Sequence, residues 1–171
     1  MAEKSGDKTP EENSAQEASA KDAGGNTGKY LVFTISGERY AVPSGIIGEV
    51  AVLEKVFPMP LVPDYVRGLI NRYSIPYALI DISLFLHKDA TDARKVIVLK
   101  DDIEKIAFLI DDVIDIPDIP YSMLVKIEKE ADGFNPSISA YFECGGKSVL
   151  CIDTEELVGS IKKGFEREIW K

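Results

Sequence analysis

From residue 30 onward the chain is divided into short runs rich in β-branched and aromatic residues, each ended by Gly, Pro, Asp or Asn. Runs of this kind are typical of strands joined by tight turns. Strands or strand pairs are predicted at residues 30–35, 39–42, 46–56, 69–73, 75–82, 95–100, 105–110 and 139–152. The pattern therefore predicts a mainly β architecture.

A proline-rich segment interrupts this pattern at residues 56–63. Pro58, Pro60 and Pro63 each fix the backbone angle φ and lack an N–H donor, which excludes both a helix interior and a central strand. We expect an irregular loop that crosses between strands.

The C-terminal part of the chain carries a helical pattern. Asp153 can cap the helix with Glu156 at its third position, and apolar residues then recur at every fourth position. The apolar residues are Leu157, Ile161, Phe165 and Ile169. We expect this stripe to dock on a sheet; the alternative is that its far end, with Trp170, projects as a handle for a partner.

The chain contains an internal repeat. A shift of 66 residues aligns residues 30–50 with residues 96–116 without a gap. Each copy reads as a strand, a polar turn, a second strand and then an apolar-x-acid-apolar step, at residues 47–50 and 113–116. Because an isolated two-stranded ribbon is marginally stable, two copies predict two small sheets or barrels that share a core. The alternative is a chance resemblance between two hairpins.

The first 28 residues differ in composition from the rest. They contain no Val, Ile, Leu, Phe, Trp, Tyr or Cys, so they cannot bury enough apolar surface to offset the entropy of ordering. We therefore expect residues 1–28 to form a disordered acidic tail, either a tether or inert solubilising sequence, and residues 29–171 to form the folded unit.

Charge and hydropathy exclude two kinds of partner. The chain has 20 Lys and Arg against 29 Asp and Glu, a net charge of −9 that disfavours nucleic acid. No apolar run approaches the roughly 20 residues that span a bilayer, so direct membrane insertion is not expected. The start lacks an apolar signal region, and a cytoplasmic location is expected.

Residues that could carry catalysis are sparse. The lone His87 is predicted to be a solvated residue at the end of a short surface helix. Cys144 and Cys151 flank a Gly145-Gly146 turn; a two-residue hairpin would place Cys144 opposite Lys147 and keep the two sulfurs too far apart to bond. We expect no nucleophilic catalysis and no disulfide.

Acidic clusters lie at residues 101–102 and 111–115. They lack the alternating oxygen ligands, central Gly and terminal Glu of a calcium-binding loop. Asp101 and Asp102 lie between two predicted strands, where Asp commonly forms turns. We expect solvated turns or strand edges, with no metal and no cofactor. The function that remains is binding of other proteins at the surface. The candidate surfaces are the apolar-x-acid-apolar steps at residues 47–50 and 113–116 and the turn at residues 71–74.

The ordered series of motifs resembles the CheW family of chemotaxis coupling proteins, of which this chain would be a divergent member. The similarity covers residues 30 to about 161. Its motifs are Tyr30-Leu-Val-Phe-Thr-Ile, Ile47-x-Glu-Val, Val66-Arg-Gly-Leu-Ile-Asn, Leu79-Ile-Asp-Ile, Lys95-Val-Ile-Val-Leu, Ile110-Asp-Asp-Val-Ile-Asp-Ile and Val149-Leu-Cys-Ile-Asp-Thr-Glu-Glu-Leu. The resemblance implies two interlocked five-stranded SH3-like β-barrels around a shared core, with a C-terminal helix. It also implies a non-enzymatic adaptor.

The same resemblance implies partners and a binding surface. The partners would be the regulatory domain of the histidine kinase CheA and the cytoplasmic tips of methyl-accepting chemoreceptors. The implied partner-binding residues are Ile47, Glu49, Val50, Asn71, Arg72, Tyr73, Ser74, Lys95, Asp112 and Val113.

The chain departs from the family at this surface. The family's Asn-Leu-Arg-Gly turn is here Asn71-Arg72-Tyr73-Ser74, so the Arg is displaced by one position. We expect Arg72 to point to the other face of its strand, because side chains alternate along a strand. The family's Gly in the second acidic step is here Asp112, and the segment between residues 141 and 147 is shorter than usual.

Three other functions remain open at this point. One is a general SH3-like module that binds proline-rich peptides, for which an aromatic groove could be formed by Tyr40, Tyr65, Tyr73 and Tyr77. Another is a divergent array component that binds receptor or kinase without activating the kinase. An enzyme would require acidic residues of the two copies to converge in one pocket.

Overall fold

Twelve strands and two α-helices make up the parts of the chain that the computed structural model describes, residues 26–128 and 135–169, with Ile169 described by its backbone alone. The strands are β1 (Thr27–Ile35), β2 (Glu38–Pro43), β3 (Ile47–Val52), β4 (Val66–Arg72), β5 (Ile75–Asp81), β6 (Lys95–Leu99), β7 (Ile106–Ile110), β8 (Asp112–Asp115), β9 (Asp118–Pro120), β10 (Val125–Lys126), β11 (Ile138–Cys144) and β12 (Lys147–Ile152). The helices are α1 (Ile82–Phe85) and α2 (Thr154–Ile169). The predicted mainly β architecture is confirmed.

Several element boundaries differ from those predicted. Strand β1 begins at Thr27, within the segment assigned to the tail, because Thr27 and Gly28 pair with β9. Strand β3 ends at Val52 rather than at residue 56. Strands β8, β9 and β10 are only two to four residues long, and β8 and β10 are mostly exposed, so no apolar run marks them. Helix α1 is not a surface helix, because Ile82 and Ser83 are fully buried.

The strands form two sheets. In the first sheet the order is β10-β11-β12-β2-β1-β8, with β9 also paired to β1. In the second sheet the order is β3-β6-β7-β5-β4. Each sheet therefore contains strands from both halves of the chain.

The predicted repeat explains this mixing. Strands β1 and β2 form an antiparallel hairpin in the first sheet, and their repeat counterparts β6 and β7 form one in the second. The third strand of each copy crosses to the other sheet: β3 pairs with β6, and β8 pairs with β1. The exchange is reciprocal, so the two units are interlocked.

The repeat continues further than the sequence comparison indicated. Strands β4 and β5 correspond to β11 and β12 at a shift of 72 residues rather than 66. Strand β5 pairs in parallel with β7, and β12 pairs in parallel with β2. Each copy then ends in a helix capped by an aspartate: Asp81 accepts from the Leu84 N–H (3.3 Å), and Asp153 accepts from the Glu156 N–H (3.1 Å).

Each sheet closes into a barrel where its outer strands approach each other. In the second sheet, the segment after β3 reaches β4 through two backbone hydrogen bonds between Phe57 and Leu69, 2.8 and 2.7 Å long. In the first sheet, the chain that follows edge strand β8 returns to the other side of the sheet, where β10 pairs with β11 through Val125 and Tyr141. The second barrel is thus formed by β3 to β7, and the first barrel by β1, β2 and β8 to β12.

Alternating side chains divide the core into three parts. Phe33 of β1 and its repeat counterpart Leu99 of β6 lie in the core that the two barrels share. Val32 lies in a cluster inside the first barrel, and Val98 lies in a cluster inside the second. The predicted pair of barrels around a shared core is confirmed.

Helix α2 packs on the shared core. Leu157 and Ile161 are fully buried, and Phe165 is partly buried against the same cluster. The predicted docking of the stripe is confirmed for these three residues. The side chain of Ile169 and the whole of Trp170 lie outside the described residues.

Candidate protein-interaction surface

The ten implied partner-binding residues lie on four strands and one turn. They are Ile47, Glu49 and Val50 on β3, Asn71 and Arg72 on β4, Tyr73 and Ser74 in the β4–β5 turn, Lys95 on β6, and Asp112 and Val113 on β8. Strand β3 connects most of them, since Glu49 lies near one end and Val52, at the other end, pairs with Lys95. Glu49 and Val52 are about 10 Å apart at the usual rise of a strand.

Glu49 and Arg72 form a forked ion pair at one end of this surface. The Arg72 Nε and Nη2 atoms donate to the two Glu49 carboxylate oxygens at 2.6 and 3.0 Å. Burial along β4 alternates so that Arg72 lies on the face of buried Ile70, opposite Asn71, as expected, and its meeting with Glu49 is the contact that the sequence did not indicate. Barrel closure is the cause, because it places edge strand β4 beside edge strand β3. The guanidinium, assisted by the Tyr73 hydroxyl, lowers the pKa of Glu49, while Glu49 raises the pKa of Arg72.

Tyr73 lies at the tip of the β4–β5 hairpin and is 83 % exposed. The Arg72 guanidinium carbon lies 5.4 Å from the centre of its ring, within the range of a cation–π contact. Tyr73 and Ser74 both have positive φ, 52° and 67°, as the two central residues of a type I′ turn do.

An apolar strip lies on the exposed face of β3, opposite the face that carries Glu49. Val50, Val52 and the nearby Phe57 are between 43 % and 63 % exposed, and Lys55 Nζ lies 4.7 Å from the centre of the Phe57 ring. Val52 and Phe57 line a hollow together with Asn71. Apolar side chains exposed beside charged groups are typical of protein-binding surfaces. Val52 and Phe57 were not among the predicted site residues, although Val52 follows Val50 on the same face of β3.

Lys95 and Asp112 form an ion pair that connects strand β6 of the second barrel to strand β8 of the first. Lys95, followed by the backbone N–H of Val113, lowers the pKa of Asp112. Val113 and Ile47 are partly buried against the shared core, so they support this surface more than they extend it.

The four tyrosines of the peptide-binding alternative do not form a groove. Tyr40 and Tyr77 are buried, at 2 % and 5 % exposure, and Tyr65 packs edge-on against Phe85 with ring centres 5.1 Å apart. Tyr73 is the exposed member of the set. The geometry therefore contradicts the aromatic groove.

Other ionisable groups are used in local structure. The hydrogen bond between Tyr77 and Asp101 raises the pKa of Tyr77 to about 12, and Lys105 lies 3.0 Å from the same carboxylate. Burial raises the pKa of the Cys151 thiol to about 12, which disfavours the reactive thiolate. Within residues 26–128 and 135–169, no three His, Cys, Asp or Glu side chains are grouped to hold a metal ion.

Acidic residues from the two copies do not share partners. Glu49 pairs with Arg72, whereas its repeat counterpart Asp115 accepts a hydrogen bond from the Ile116 N–H, and the two lie in different sheets.

Over the described part of the chain, no helix is both long and apolar enough to cross a membrane.

Comparisons with known proteins agree with this architecture. A crystal structure of the scaffolding protein TtCheW from Thermoanaerobacter tengcongensis superimposes with a TM-score of 0.67 at 16 % identity, covering 74 % of this chain and 89 % of that one. No curated protein matches the sequence significantly. The family model of the CheW-like domain matches residues 29–162, and this match supports a scaffold or adaptor role in chemotaxis signalling. The chain belongs to the CheW-like family.

Proposed function

We propose that this protein is a non-enzymatic adaptor that couples the cytoplasmic tips of chemoreceptors to the regulatory domain of the histidine kinase CheA. The observation that carries the proposal is the exposed apolar strip of Val50, Val52 and Phe57 on a CheW-like fold. An apolar strip bordered by the Glu49–Arg72 pair can bury area in a complex while the charges at its border orient the partner.

The molecule offers two kinds of surface for two kinds of partner. The β4–β5 turn projects from the second barrel, which suits a pocket in a folded domain. The Lys95–Asp112 pair lies where β6 and β8 bring the two barrels together, which suits an elongated partner such as a receptor hairpin. In this proposal the protein acts by holding both partners at fixed positions.

The proposal is tested by measuring binding of the full chain to the CheA regulatory domain and, separately, to a receptor cytoplasmic hairpin by calorimetry. The Val52→Asp variant places a charge in the apolar strip and should weaken at least one complex about tenfold or more. Val125→Asp is the matched control, because Val125 is also exposed but lies on the first barrel. Failure of the unmodified chain to bind either partner would overturn the proposal.

A further inference from the structure

We propose that the first barrel holds a binding site for a small, uncharged aromatic molecule, in a hollow of about 740 Å³ where the interior of this barrel meets the shared core. Ligand pockets in proteins commonly have volumes of about 300–1,000 Å³ and a mainly apolar lining with a few polar groups. The strip proposed above for protein partners lies on the second barrel, so this inference does not depend on the proposed function. The apolar lining of the hollow includes Tyr30, Tyr121, Leu124, Ile127, Cys151 and Ile152.

The second barrel contains a counterpart of this hollow, and the counterpart is smaller. Its volume is about 430 Å³. Three lining positions of the two hollows correspond through the repeat, and at each of them the first barrel has the smaller residue. The pairs are Arg67 and Ser139, Leu79 and Cys151, and Leu109 and Pro43. The same fold therefore accommodates larger side chains at this position, and the extra space in the first barrel follows from its sequence.

In the second barrel a charged side chain occupies part of this space. The Arg67 Nη1 atom lies 3.9 Å from the Oδ2 atom of Asp81, whose side chain is fully buried. The corresponding residue of the first barrel, Ser139, is too short to extend in this way. The space beside the start of α2 is therefore open to a ligand.

An unpartnered hydroxyl lies at the start of α2. Thr154 lines the hollow, and its Oγ1 atom is buried and has no hydrogen-bond partner among the described residues. Because a buried polar atom without a partner is unfavourable, a ligand group that donates to this oxygen would stabilise the complex. The helix cap is satisfied separately, since Asp153 accepts from the Glu156 N–H.

Two tyrosine rings favour an aromatic ligand. A Cβ atom added to Gly28 would lie 3.0 Å from atoms of both the Tyr30 and the Tyr121 side chains, so the two rings lie close together. The Tyr30 ring also packs against Phe142, with ring centres 6.0 Å apart. Because aromatic rings attract one another in edge-to-face and offset arrangements, rings already positioned in the lining can hold another flat ring.

Charged groups at the hollow disfavour charged ligands. The carboxylates of Asp153 and Glu155 line it and repel an anion, as does the net charge of −9 of the chain. The Lys126 ammonium also lines it and repels a cation. An uncharged aromatic molecule with a hydrogen-bond donor therefore fits the hollow best.

Titration of the full chain with N-phenyl-1-naphthylamine tests the site. This probe is uncharged, has two aromatic parts joined by an N–H group and becomes fluorescent in apolar surroundings. We expect saturable binding of a single molecule per chain. The control probe, 8-anilino-1-naphthalenesulfonate, has the same skeleton with a sulfonate added and should bind at least about tenfold more weakly.

Three variants locate the bound probe. Cys151→Leu installs the residue of the second barrel, fills part of the hollow and should weaken binding about tenfold or more. Cys144→Leu is the matched control and should leave binding unchanged, because Cys144 is partly buried in the same barrel but is not among the described residues that line the hollow. Thr154→Val keeps the shape of the side chain without its hydroxyl, and should weaken binding about threefold or more without lowering the melting temperature.

Absence of saturable binding of the uncharged probe would overturn this inference, as would unchanged affinity in both Cys151→Leu and Thr154→Val. Equal affinity for the two probes would overturn the assignment of an uncharged ligand. If Cys151→Leu melts at a lower temperature than the unmodified chain, Thr154→Val decides, because it removes a hydroxyl that has no partner among the described residues. None of these outcomes involves CheA or a receptor, so the proposed function would stand in each case.

Discussion

Glu49 and Arg72 carry opposite charges on the two edge strands of the second barrel, so their pairing makes stability depend on pH. The pKa of Glu49 is lowered from its ordinary value of 4.5 in the folded state. The contribution of the pair is therefore fully present above about pH 4.5 and is lost as the pH falls through the lowered pKa. Both side chains are about a quarter exposed, so the contribution is at most about 1 kcal/mol.

The Glu49→Gln variant tests this dependence. Urea unfolding should show a deficit of at most about 1 kcal/mol at pH 7 that shrinks toward pH 3, as the pH falls through the lowered pKa and Glu49 of the unmodified chain becomes protonated. Glu166→Gln, on the exposed side of α2, is the control and should show no such convergence. A Glu49→Gln deficit of the same size at both pH values would contradict the assignment.

For single residues, the sequence indicates candidate surface segments but not the contacts that their side chains make. The acidic step at residues 47–50 and the turn at residues 71–74 can be recognised because they are local patterns. The partner of Arg72 cannot be recognised in this way, because Glu49 lies 23 residues away and reaches it through barrel closure. Alternation along one strand indicates a face but not which other strand that face meets.

Two glycines in different elements are expected to respond to alanine in opposite directions. Gly68 of β4 has φ of 135°, and an added Cβ would lie 2.3 Å from the Phe57 carbonyl oxygen. Gly68→Ala should therefore lower the free energy of unfolding by about 2 kcal/mol or more. Gly159 lies in α2 with no atom within 4 Å of an added Cβ, so Gly159→Ala should raise stability by about 0.5–1 kcal/mol.

Denaturant unfolding of both variants beside the unmodified chain provides the measurement. A neutral effect of Gly68→Ala would mean that the closing contact between Phe57 and Leu69 is not rigid. A destabilising effect of Gly159→Ala would mean that this side of α2 is covered.

The elements themselves were largely predictable, and the exceptions share a cause. The longer strands carry enough β-branched and aromatic residues to be recognised one by one. Strands β8 and β10 are mostly exposed and are defined by their partners β1 and β11, so their local sequence gives little indication of them. The second part of the repeat was missed because its shift is 72 rather than 66 residues, and a comparison at one fixed shift stops where the spacing changes.

Reciprocal exchange of strands predicts that neither half of the chain folds alone. A fragment of residues 1–90 would retain the β1–β2 and β4–β5 hairpins but would lack β6, the partner of β3. Isolated hairpins are marginal in water, so each fragment, 1–90 and 91–171, should lack a cooperative thermal transition. An equimolar mixture should recover one, as monitored by near-ultraviolet circular dichroism. A cooperative transition in either fragment by itself would contradict the exchange.

The crossing of β3 and β8 also limits how this molecule can move. Domains joined by a single linker can swing relative to each other, whereas here the chain passes between the barrels through strands that are hydrogen-bonded at their destination. A partner that displaces one barrel must therefore carry the other with it. A rotation imposed on one barrel therefore reaches the other barrel with the same angle, and the displacement of any point depends on its distance from the rotation axis rather than on bending within the protein.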